Sequence, residues 1–296
     1  MPDPAPAIGV IGAGAMGMGV VRSLLRHGFA THARDIRPQA HKEAAGLGAT
    51  CHPSAAALAR HCAVVIVLVV DARQVDDVLF GSEGVTVAAR RGLIVVLSST
   101  VAPDYTTALA ERLAAHGIAL VDAPISGGPR RAADGSMTMM VAGGAAALTR
   151  CEPMFAAVAG RVFNVGDVPG DAAKFKIINN LLAAVNLAAG AEALTLAKKA
   201  GLDPQRMVDV VNASSGGSWM FADRMPRALA GDFAPRAAGR ILAKDVGIAV
   251  EFAERMGVDA TFANAARAAF QGMVDAGYGD EDDAAMVKYL GEKNRS

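Results

Sequence analysis

Short apolar runs and helical stretches alternate along the first half of the chain. The apolar runs, several of them continuous and rich in β-branched residues, predict strands at 7–11, 30–34, 63–70, 93–99, 118–123, 137–143 and 161–166. The stretches between them predict helices that reach about residue 27 after the first run and lie at 38–47, 103–116 and 145–159. Strands that alternate with helices in this way predict an α/β fold with a doubly wound, mostly parallel sheet.

The pattern changes after about residue 167. Residues 172–290 read as helix, interrupted by glycine- and proline-containing segments at 201–204, 214–217 and 231–235. We therefore predict a Rossmann-type, doubly wound parallel sheet over residues 1–166. An all-helical domain over residues 167–296 should follow it and serve substrate binding and oligomerisation. A long helix that begins near residue 172 should connect the two domains.

Composition and charge narrow the class of protein. The 296 residues carry 29 basic and 29 acidic side chains, so no net positive field attracts nucleic acid or an anionic membrane. Three cysteines without a C-x-x-C spacing predict a reduced, cytoplasmic protein with neither a disulfide nor a metal site. No basic segment precedes the first strand, so no signal peptide is expected. The apolar run 177–197 is long enough to span a bilayer, but it contains Asn179, Asn180, Asn186 and Glu192, so a buried helix of a soluble protein is expected.

A glycine-rich turn follows the first predicted strand and opens the first helix. Its residues are Gly12, Ala13, Gly14, Ala15, Met16 and Gly17, which form the pattern G-x-G-x-x-G. In this setting the glycines allow a tight turn, a close approach to a pyrophosphate and close packing of the helix on the strand. The helix N-terminus offers free amides to the phosphates. The sequence therefore predicts a dinucleotide-binding loop.

A carboxylate at the end of the second predicted strand bears on the choice of cofactor. Asp35 lies 18 positions beyond Gly17. A carboxylate there accepts hydrogen bonds from the adenosine ribose hydroxyls and repels a 2′-phosphate, which predicts NAD rather than NADP. Arg34 and Arg37 flank Asp35 and can partly accommodate such a phosphate, so catalytic efficiency with both cofactors is the deciding measurement.

A polar cluster interrupts the long apolar helix. Lys176, Asn179 and Asn180 fall within one turn and project together from the helix. Burial in apolar surroundings lowers the pKa of a lysine, which suits it to proton transfer near neutral pH. The second half of the chain contains no histidine, so a lysine, a carboxylate or a tyrosine must carry any proton there. A solvated stripe on an amphipathic helix is the alternative, and the dinucleotide loop favours the catalytic interpretation.

Four segments, in order along the chain, carry a family resemblance. They are GAGAMG at 12–17, DAPISGG at 122–128, GDAAKFKIINN at 170–180 and the pair Lys244-Asp245. In these motifs the chain resembles the β-hydroxyacid dehydrogenase family, which includes 3-hydroxyisobutyrate dehydrogenases and tartronate semialdehyde reductases. The resemblance covers essentially the whole chain. One position departs from it, since Ala172 stands where the family has the second glycine of a G-x-G segment.

The resemblance implies roles for residues near the substrate. Ser126 and the backbone amides of Gly127 and Gly128 would bind the substrate carboxylate. Glycines let backbone donors approach an anion closely, so this role is physically reasonable. Lys176 matches the catalytic lysine of the family. Asn180, one turn further on, would orient the substrate or the lysine.

Roles for Thr100 and Lys244 follow from the same resemblance, whereas the expectation for Lys174 follows from its place on the helix. Thr100 matches a position that contacts the nicotinamide end of the cofactor. Lys244 matches a lysine that closes over the cofactor, although a helix-surface lysine beside Asp245 is the alternative. Lys174 is expected to point elsewhere on its helix than Lys176, toward the surface.

Three segments narrow the implied substrate. Residues 98–103, 216–221 and 276–283 resemble the branch of this family that oxidises L-threonate. This implies NAD-dependent oxidation of a short sugar acid, L-threonate, to its 2-keto acid. Trp219, the only tryptophan, either walls the substrate pocket or packs between helices. The alternatives are a tartronate or succinic semialdehyde reductase, a 3-hydroxyisobutyrate dehydrogenase, an imine reductase or a non-catalytic dinucleotide sensor. Members of the family are homodimers or homotetramers, which is the expectation for this chain.

Overall fold

The contacts within the protein divide it into two compact units. The structure, a computed structural model, describes residues 6–88 and 90–294. The first unit ends at Lys176 and the second begins at Ile177.

The first unit is an α/β domain. Its strands are β1 (Ile8–Ile11), β2 (Thr31–Arg34), β3 (Thr50–Cys51), β4 (Val64–Val67), β5 (Ile94–Leu97), β6 (Ala119–Asp122), β7 (Ile125–Ser126), β8 (Met137–Ala142) and β9 (Ala159–Gly166). Its helices are α1 (Ala15–Arg26), α2 (Pro38–Gly46), α3 (Ala55–Ala59), α4 (Ala72–Phe80), α5 (Val85–Ala88), α6 (Pro103–Ala114), α7 (Gly128–Asp134) and α8 (Ala145–Val158). The strands form one sheet in the order β3-β2-β1-β4-β5-β6-β8-β7, with β9 paired to β8.

Six neighbouring strands of this sheet, from β3 to β6, are parallel. Strand β8 then runs antiparallel to β6 and β7 and parallel to β9. Because β2 and β4 lie on opposite sides of β1, the chain reverses its direction of winding at β1. The predicted Rossmann-type, doubly wound sheet is confirmed.

Both faces of the sheet are covered by hydrophobic cores. Successive residues of a strand point to opposite faces, so Ile66 and Val96 contribute to one core while Val65 and Val95 contribute to the other. Strands β4 and β5 are buried along their whole length. This double burial explains why their sequences are continuous β-branched runs without polar alternation.

The strand predicted at 63–70 is shorter than its apolar run. Strand β4 ends at Val67, which pairs with the last residues of both neighbouring strands, Ile11 and Leu97. The amide of Leu68 still donates to the carbonyl oxygen of Ile11 at 2.8 Å, but residues 68–70 belong to no strand. They remain apolar because they line a cavity at the edge of the sheet, described below.

The second unit is helical, as predicted. The long helix α9 (Asp171–Lys199) begins in the first unit and continues into the second. It is followed by α10 (Pro204–Asn212), α11 (Trp219–Leu229), α12 (Gly239–Arg255), α13 (Thr261–Met273), a π-helical turn (Val274–Tyr278), a 3-10 turn (Asp283–Ala285) and α14 (Met286–Lys293). Side chains at two of the predicted interruptions between helices cap the helix that follows. Asp203 accepts a hydrogen bond from the Arg206 amide at the start of α10, and Ser218 accepts one from the Phe221 amide at the start of α11.

Helix α9 is long and apolar enough, by length and composition, to cross a membrane. One face of it instead supplies Ala184, Leu187, Ala191 and Leu194 to the core of the second unit. Phe221, Met225 and Phe270 complete that core from other helices. Helix α9 is therefore a core helix, as the sequence predicted.

Candidate active site

The turn between β1 and α1 is the predicted glycine-rich loop. Gly12 has a φ of +92°, a backbone conformation that other residues rarely adopt. A Cβ at Gly17 would lie 2.0 Å from the carbonyl oxygen of Gly12, so only glycine allows α1 to pack this closely on the loop. At Gly14 the nearest atom to a Cβ would be an Arg37 nitrogen at 3.8 Å, so this position is open to a ligand.

Helix α1 begins at Ala15, and its N-cap residue, Gly14, supplies no side-chain hydrogen bond. The first amides of a helix have no acceptor within it and carry the positive end of its dipole. They are therefore donors for an anion that approaches this end of the helix. Ala13 is buried and Met16 packs against the same core, which fixes the loop.

A cavity of about 790 Å³ lies at the carboxyl ends of β1, β2 and β4. The loop residues Gly12 and Gly14 form one side of it, and Val69 and Val70 form another. The cavity lies where the sheet reverses its direction of winding, which is the position at which doubly wound sheets bind dinucleotides. Asp35 is also on its wall.

Asp35 is held by Arg37. The Arg37 Nε and Nη2 atoms donate to Oδ1 and Oδ2 of Asp35 at 2.9 and 3.1 Å. The same Nη2 donates to the carbonyl oxygen of Ala13 at 3.1 Å, so Arg37 joins the carboxylate to the glycine loop. Burial raises the pKa of Asp35, but the hydrogen bonds and charge of Arg37 outweigh it and hold the pKa below its ordinary value. Arg34, in contrast, donates to the backbone carbonyl of Asp35.

The loop after β5 carries Thr100. The preceding Ser98 and Ser99 are buried, and the Ser98 amide donates to the carbonyl oxygen of Val67 at 2.9 Å. The hydroxyl of Ser99 contacts the same oxygen at 3.4 Å. These contacts tie the loop to the end of β4, and Thr100 itself is half-buried.

Two consecutive glycines follow Ser126, the last residue of β7. Ser126 pairs with Thr138 of β8, which fixes the start of the turn. Gly127 and Gly128 have φ angles of +130° and +77°. A Cβ at Gly128 would meet nothing within 4 Å, so the backbone conformation alone requires glycine there. Turns with positive φ angles are one way in which proteins direct backbone amides toward an anion.

Helix α9 buries part of the predicted polar cluster. Lys176 and Asn180 are 8% and 7% exposed and lie one turn apart. Asn179 differs, since its side chain is exposed although it donates to Oδ1 of Asn180 at 3.1 Å. Lys174 is exposed and pairs with Asp171 at 2.9 Å, in agreement with its expected place on the surface.

Ala172, the departure from the family pattern, is fully buried in the first turn of α9. Among the described residues, only glycines have a positive φ, so Ala172 has an ordinary backbone conformation. Its Cβ is therefore accommodated without backbone strain.

A carboxylate that the sequence did not single out as a site residue holds Asn180. Asp245, on α12, is 4% exposed and accepts a hydrogen bond from Nδ2 of Asn180 at 2.7 Å. Lys244 pairs with the same carboxylate, Nζ to Oδ1, at 2.7 Å. The sequence identified the Lys244-Asp245 pair as a motif and Asn180 as a candidate site residue, but not the hydrogen bond that joins Asn180 to Asp245, 65 positions apart. Asp245 thus fixes the orientation of the Asn180 amide.

Trp219 is the first residue of α11 and is 56% exposed, so it is not packed between helices. The guanidinium of Arg224 lies 5.5 Å from its ring centroid. Arg224 is buried and donates to both carboxylate oxygens of Asp283 at 2.6 and 3.1 Å. The indole therefore stands beside an arginine that a buried ion pair holds in place.

The cavity and its loop fit a bound NAD. The open position at Gly14 would admit a pyrophosphate, the uncapped start of α1 would supply donors for it, and Asp35 would supply acceptors for the ribose hydroxyls. The chemistry of these residues, like the place of the cavity in the sheet, is that expected of a dinucleotide site.

Comparison with known proteins agrees with this assignment. Residues 7–166 match the family model of the NAD-binding domain of 6-phosphogluconate dehydrogenase, and residues 170–290 match that described as NAD-binding of NADP-dependent 3-hydroxyisobutyrate dehydrogenase. The fold and site define an NAD-dependent dehydrogenase. The chain belongs to the β-hydroxyacid dehydrogenase family.

Individual relatives extend over nearly the whole chain. It is 45% identical to the L-threonate dehydrogenase of Cupriavidus necator over 281 residues, and this match covers 95% of each protein. It is 40% identical over 284 residues to the L-threonate dehydrogenase of Escherichia coli K12, covering 95% of this chain and 93% of the relative. The crystal structure of a 3-hydroxyisobutyrate dehydrogenase from Salmonella typhimurium matches with a TM-score of 0.90 at 41% identity, covering 95% of this chain and 99% of the other.

Proposed function

We propose that the protein oxidises L-threonate at C2 to the 2-keto acid, with NAD as the hydride acceptor and Lys176 as the general base. The substrate follows from the two L-threonate dehydrogenases that are 45% and 40% identical to it over nearly their whole length. The observation that carries the mechanism is the burial of Lys176, only 8% exposed, on a predominantly apolar helix that starts in the dinucleotide-binding unit.

The substrate carboxylate is proposed to bind at the turn formed by Ser126, Gly127 and Gly128. The hydroxyl of Ser126 and the two backbone amides are donors suited to an anion, and both glycines have the positive φ angles common in anion-binding turns. Anchoring the carboxylate also fixes C2, the next carbon of the substrate, and so restricts the approach of the reacting C–H bond.

Lys176 is proposed to take the proton of the C2 hydroxyl at Nζ. In this role Lys176 acts as the base in its neutral form and becomes an ammonium as it takes the proton. In the reverse direction the ammonium returns the proton to the forming alkoxide. Bound NAD supplies the acceptor for the hydride that leaves C2. Asn180, held by Asp245 at 2.7 Å, is proposed to orient the substrate or the lysine.

Substitution of Lys176 tests this mechanism. Lys176→Ala is expected to lower kcat by at least about a hundredfold, the usual contribution of a positioned general base, while NAD affinity by calorimetry stays unchanged. Lys174→Ala is the matched control, because Lys174 is exposed two positions away on the same helix. Near-normal turnover of Lys176→Ala would refute the base assignment.

A substrate panel tests the proposed substrate. Reduced cofactor is followed by absorbance with L-threonate, D-threonate, erythronate, glycerate and 3-hydroxyisobutyrate. We expect kcat/KM to be highest for L-threonate by about tenfold or more, since a site built for a substrate hydroxyl discriminates against analogues that misplace it. The second candidate is 3-hydroxyisobutyrate, after the name of the Salmonella structure at 41% identity. A preference for 3-hydroxyisobutyrate would establish that alternative.

The second domain is proposed to serve substrate binding, through Asn180 and Trp219, and assembly into a homodimer or homotetramer in the cytoplasm. Large apolar side chains on α9 support assembly, since Phe175, Ile178 and Leu182 are 54%, 53% and 56% exposed at positions three and four apart. Light scattering should give a mass of two or four 30.2 kDa chains, and Leu182→Glu should lower it. A mass of one chain for the unaltered protein would contradict assembly.

A further inference from the structure

The carboxylate of Asp122 caps the start of the helix that carries Lys176. Asp122 is the last residue of β6 and is 1% exposed. Its Oδ2 accepts the backbone amides of Gly170 at 2.8 Å and Ala173 at 2.9 Å. The first amides of a helix lack acceptors within it, and an anion is favoured at the positive end of the helix dipole. One buried side chain thus satisfies two donors at the start of α9.

The same turn is held from a second side by helix α6. Gly170 has a φ of +110°, and a Cβ there would lie 2.5 Å from Oγ1 of Thr107. Thr107 donates from this hydroxyl to the carbonyl oxygen of Pro169 at 3.0 Å. The start of α9 is therefore fixed against both β6 and α6, and little freedom is left to it.

Asp122 also stands next to the other half of the proposed site. The chain continues from Asp122 through two residues into β7, which ends at Ser126. On the helix side, Lys176 follows the capped Ala173 by three residues, which is about 4.5 Å along a helix axis. A single carboxylate thus links the strand that leads to the carboxylate-binding turn with the helix turn that leads to the base.

We propose that Asp122 is a positioning residue for the reaction, which holds the start of α9, and with it Lys176, in register with the turn at 126–128. This inference rests on the proposed function and extends it to a residue outside the proposed site. Asp122 acts through Lys176 and contacts neither the substrate nor the cofactor in this proposal.

Asp122 works best as an anion, and its ionisation falls within the range of an assay. Burial raises the pKa of Asp122 to about 6, against the opposing effect of the amides of Ala173, Gly170 and Ala172. The charge of Asp171 adds to the increase, and Asp171 itself pairs with Lys174 at 2.9 Å. A neutral acceptor makes weaker hydrogen bonds than a carboxylate, so protonation loosens the cap.

Two substitutions distinguish an effect of Asp122 on the position of Lys176 from an effect on the amount of folded protein. Asp122→Asn keeps an acceptor oxygen of the same shape without the charge, and Asp122→Ala leaves both amides without an acceptor. We expect kcat to fall about tenfold in the first and about a hundredfold in the second, with NAD affinity unchanged and the rates normalised to folded protein. Asp203→Asn, at the cap of α10, is the matched control and should keep the kcat of the unaltered enzyme. If normalisation to folded protein restores full kcat to both Asp122 variants, the role is only structural and the proposal is overturned.

A pH profile supplies a second readout. In the direction of keto-acid reduction the proposed role of Lys176 is to donate a proton, so added protons do not remove the form that this role requires. The unaltered enzyme is therefore expected to lose kcat below about pH 6, as Asp122 takes up a proton. Asp122→Asn should already show the lowered kcat at pH 7.5 and lack this acidic decline. An unchanged acidic decline in the variant would overturn the proposal.

The double variant separates a failure of this inference from a failure of the proposed function. If Asp122 acts through Lys176, Asp122→Asn should cause no further loss of the residual turnover of Lys176→Ala. Equal losses in both backgrounds would overturn positioning while leaving the base assignment intact. Full turnover of Lys176→Ala alone would instead refute the proposed function. The substrate used is whichever member of the panel is turned over fastest, so a wrong substrate does not affect the result.

Discussion

The contact between Asp35 and Arg37 makes the choice of cofactor open to a quantitative test. We expect the enzyme to prefer NAD, because a 2′-phosphate would meet the ionised carboxylate of Asp35. In Asp35→Ser this repulsion is lost, and the guanidinium of Arg37, whose side chain is 58% exposed in the native pair, is released toward the cavity. The released donors should then accept a phosphate partner in place of the carboxylate.

The size of the change follows from the two hydrogen bonds between these side chains, at 2.9 and 3.1 Å. A hydrogen bond to a charged group contributes about 1.5–3 kcal/mol, so gaining one such bond to the 2′-phosphate shifts the ratio of kcat/KM for NADP over NAD by about 10- to 150-fold. The assay is initial rates with each cofactor at saturating substrate.

Two further variants assign the effect to its cause. In Asp35→Ser combined with Arg37→Ser, the gain for NADP should be smaller than in Asp35→Ser, because no guanidinium remains to bind the phosphate. Arg37→Ser alone should keep the preference for NAD, since the carboxylate is still present. If Asp35→Ser leaves the cofactor ratio unchanged, Asp35 does not select the cofactor and the reasoning fails.

Further predictions concern the loop and the second unit. Gly17→Ala should weaken NAD binding and lower the midpoint of thermal unfolding, because its Cβ would lie 2.0 Å from a carbonyl oxygen of the loop. Gly14→Ala should weaken NAD binding, measured by calorimetry, without lowering that midpoint, because the position has space for a Cβ. An unchanged midpoint for Gly17→Ala would contradict this. Arg224→Met should lower the free energy of unfolding by about 3 kcal/mol in urea, because it leaves the buried Asp283 unpaired. Arg73→Met, which removes an exposed ion pair, should change it by less than about 1 kcal/mol, and equal losses would contradict the argument.

Much of the fold could be predicted from the sequence, because strands buried on both faces of the sheet need apolar side chains at every position. Strands β4 and β5 are continuous, largely β-branched runs, and the glycine-rich motif predicts the turn between β1 and α1. The end of a strand is less visible. The apolar run continues to Val70 although pairing stops at Val67, since lining a cavity requires the same side chains as filling a core.

The sequence predicted which residues form the candidate site, but not the contacts that its carboxylates make. Asp122 bonds to amides 48 and 51 positions later, and Asp245 bonds to Asn180 65 positions earlier. Such pairs depend on how strands and helices meet in three dimensions, which periodicity does not record. Arg37 was visible as a neighbour of Asp35, but only the structure shows that both carboxylate oxygens already have a partner.

The raised pKa of Asp122 also predicts how stability depends on pH, and this dependence is opposite to the one expected for kcat. Its pKa rises from 3.8 to about 6 on folding, so the stability it contributes is fully present below about pH 3.8 and is lost as pH rises through about 6. Since one pKa unit corresponds to about 1.4 kcal/mol, the full difference is about 3 kcal/mol, of which about 2 kcal/mol should appear between pH 7.5 and 4.5. The unaltered protein should therefore gain about 2 kcal/mol in unfolding free energy relative to Asp122→Asn over this interval, measured in urea at both pH values. The anionic form that positions Lys176 is thus the less stable one, a compromise expected where a residue is kept for function. If the difference in unfolding free energy between the two proteins is the same at both pH values, Asp122 does not titrate in this range, and the acidic decline in rate expected from it has no basis.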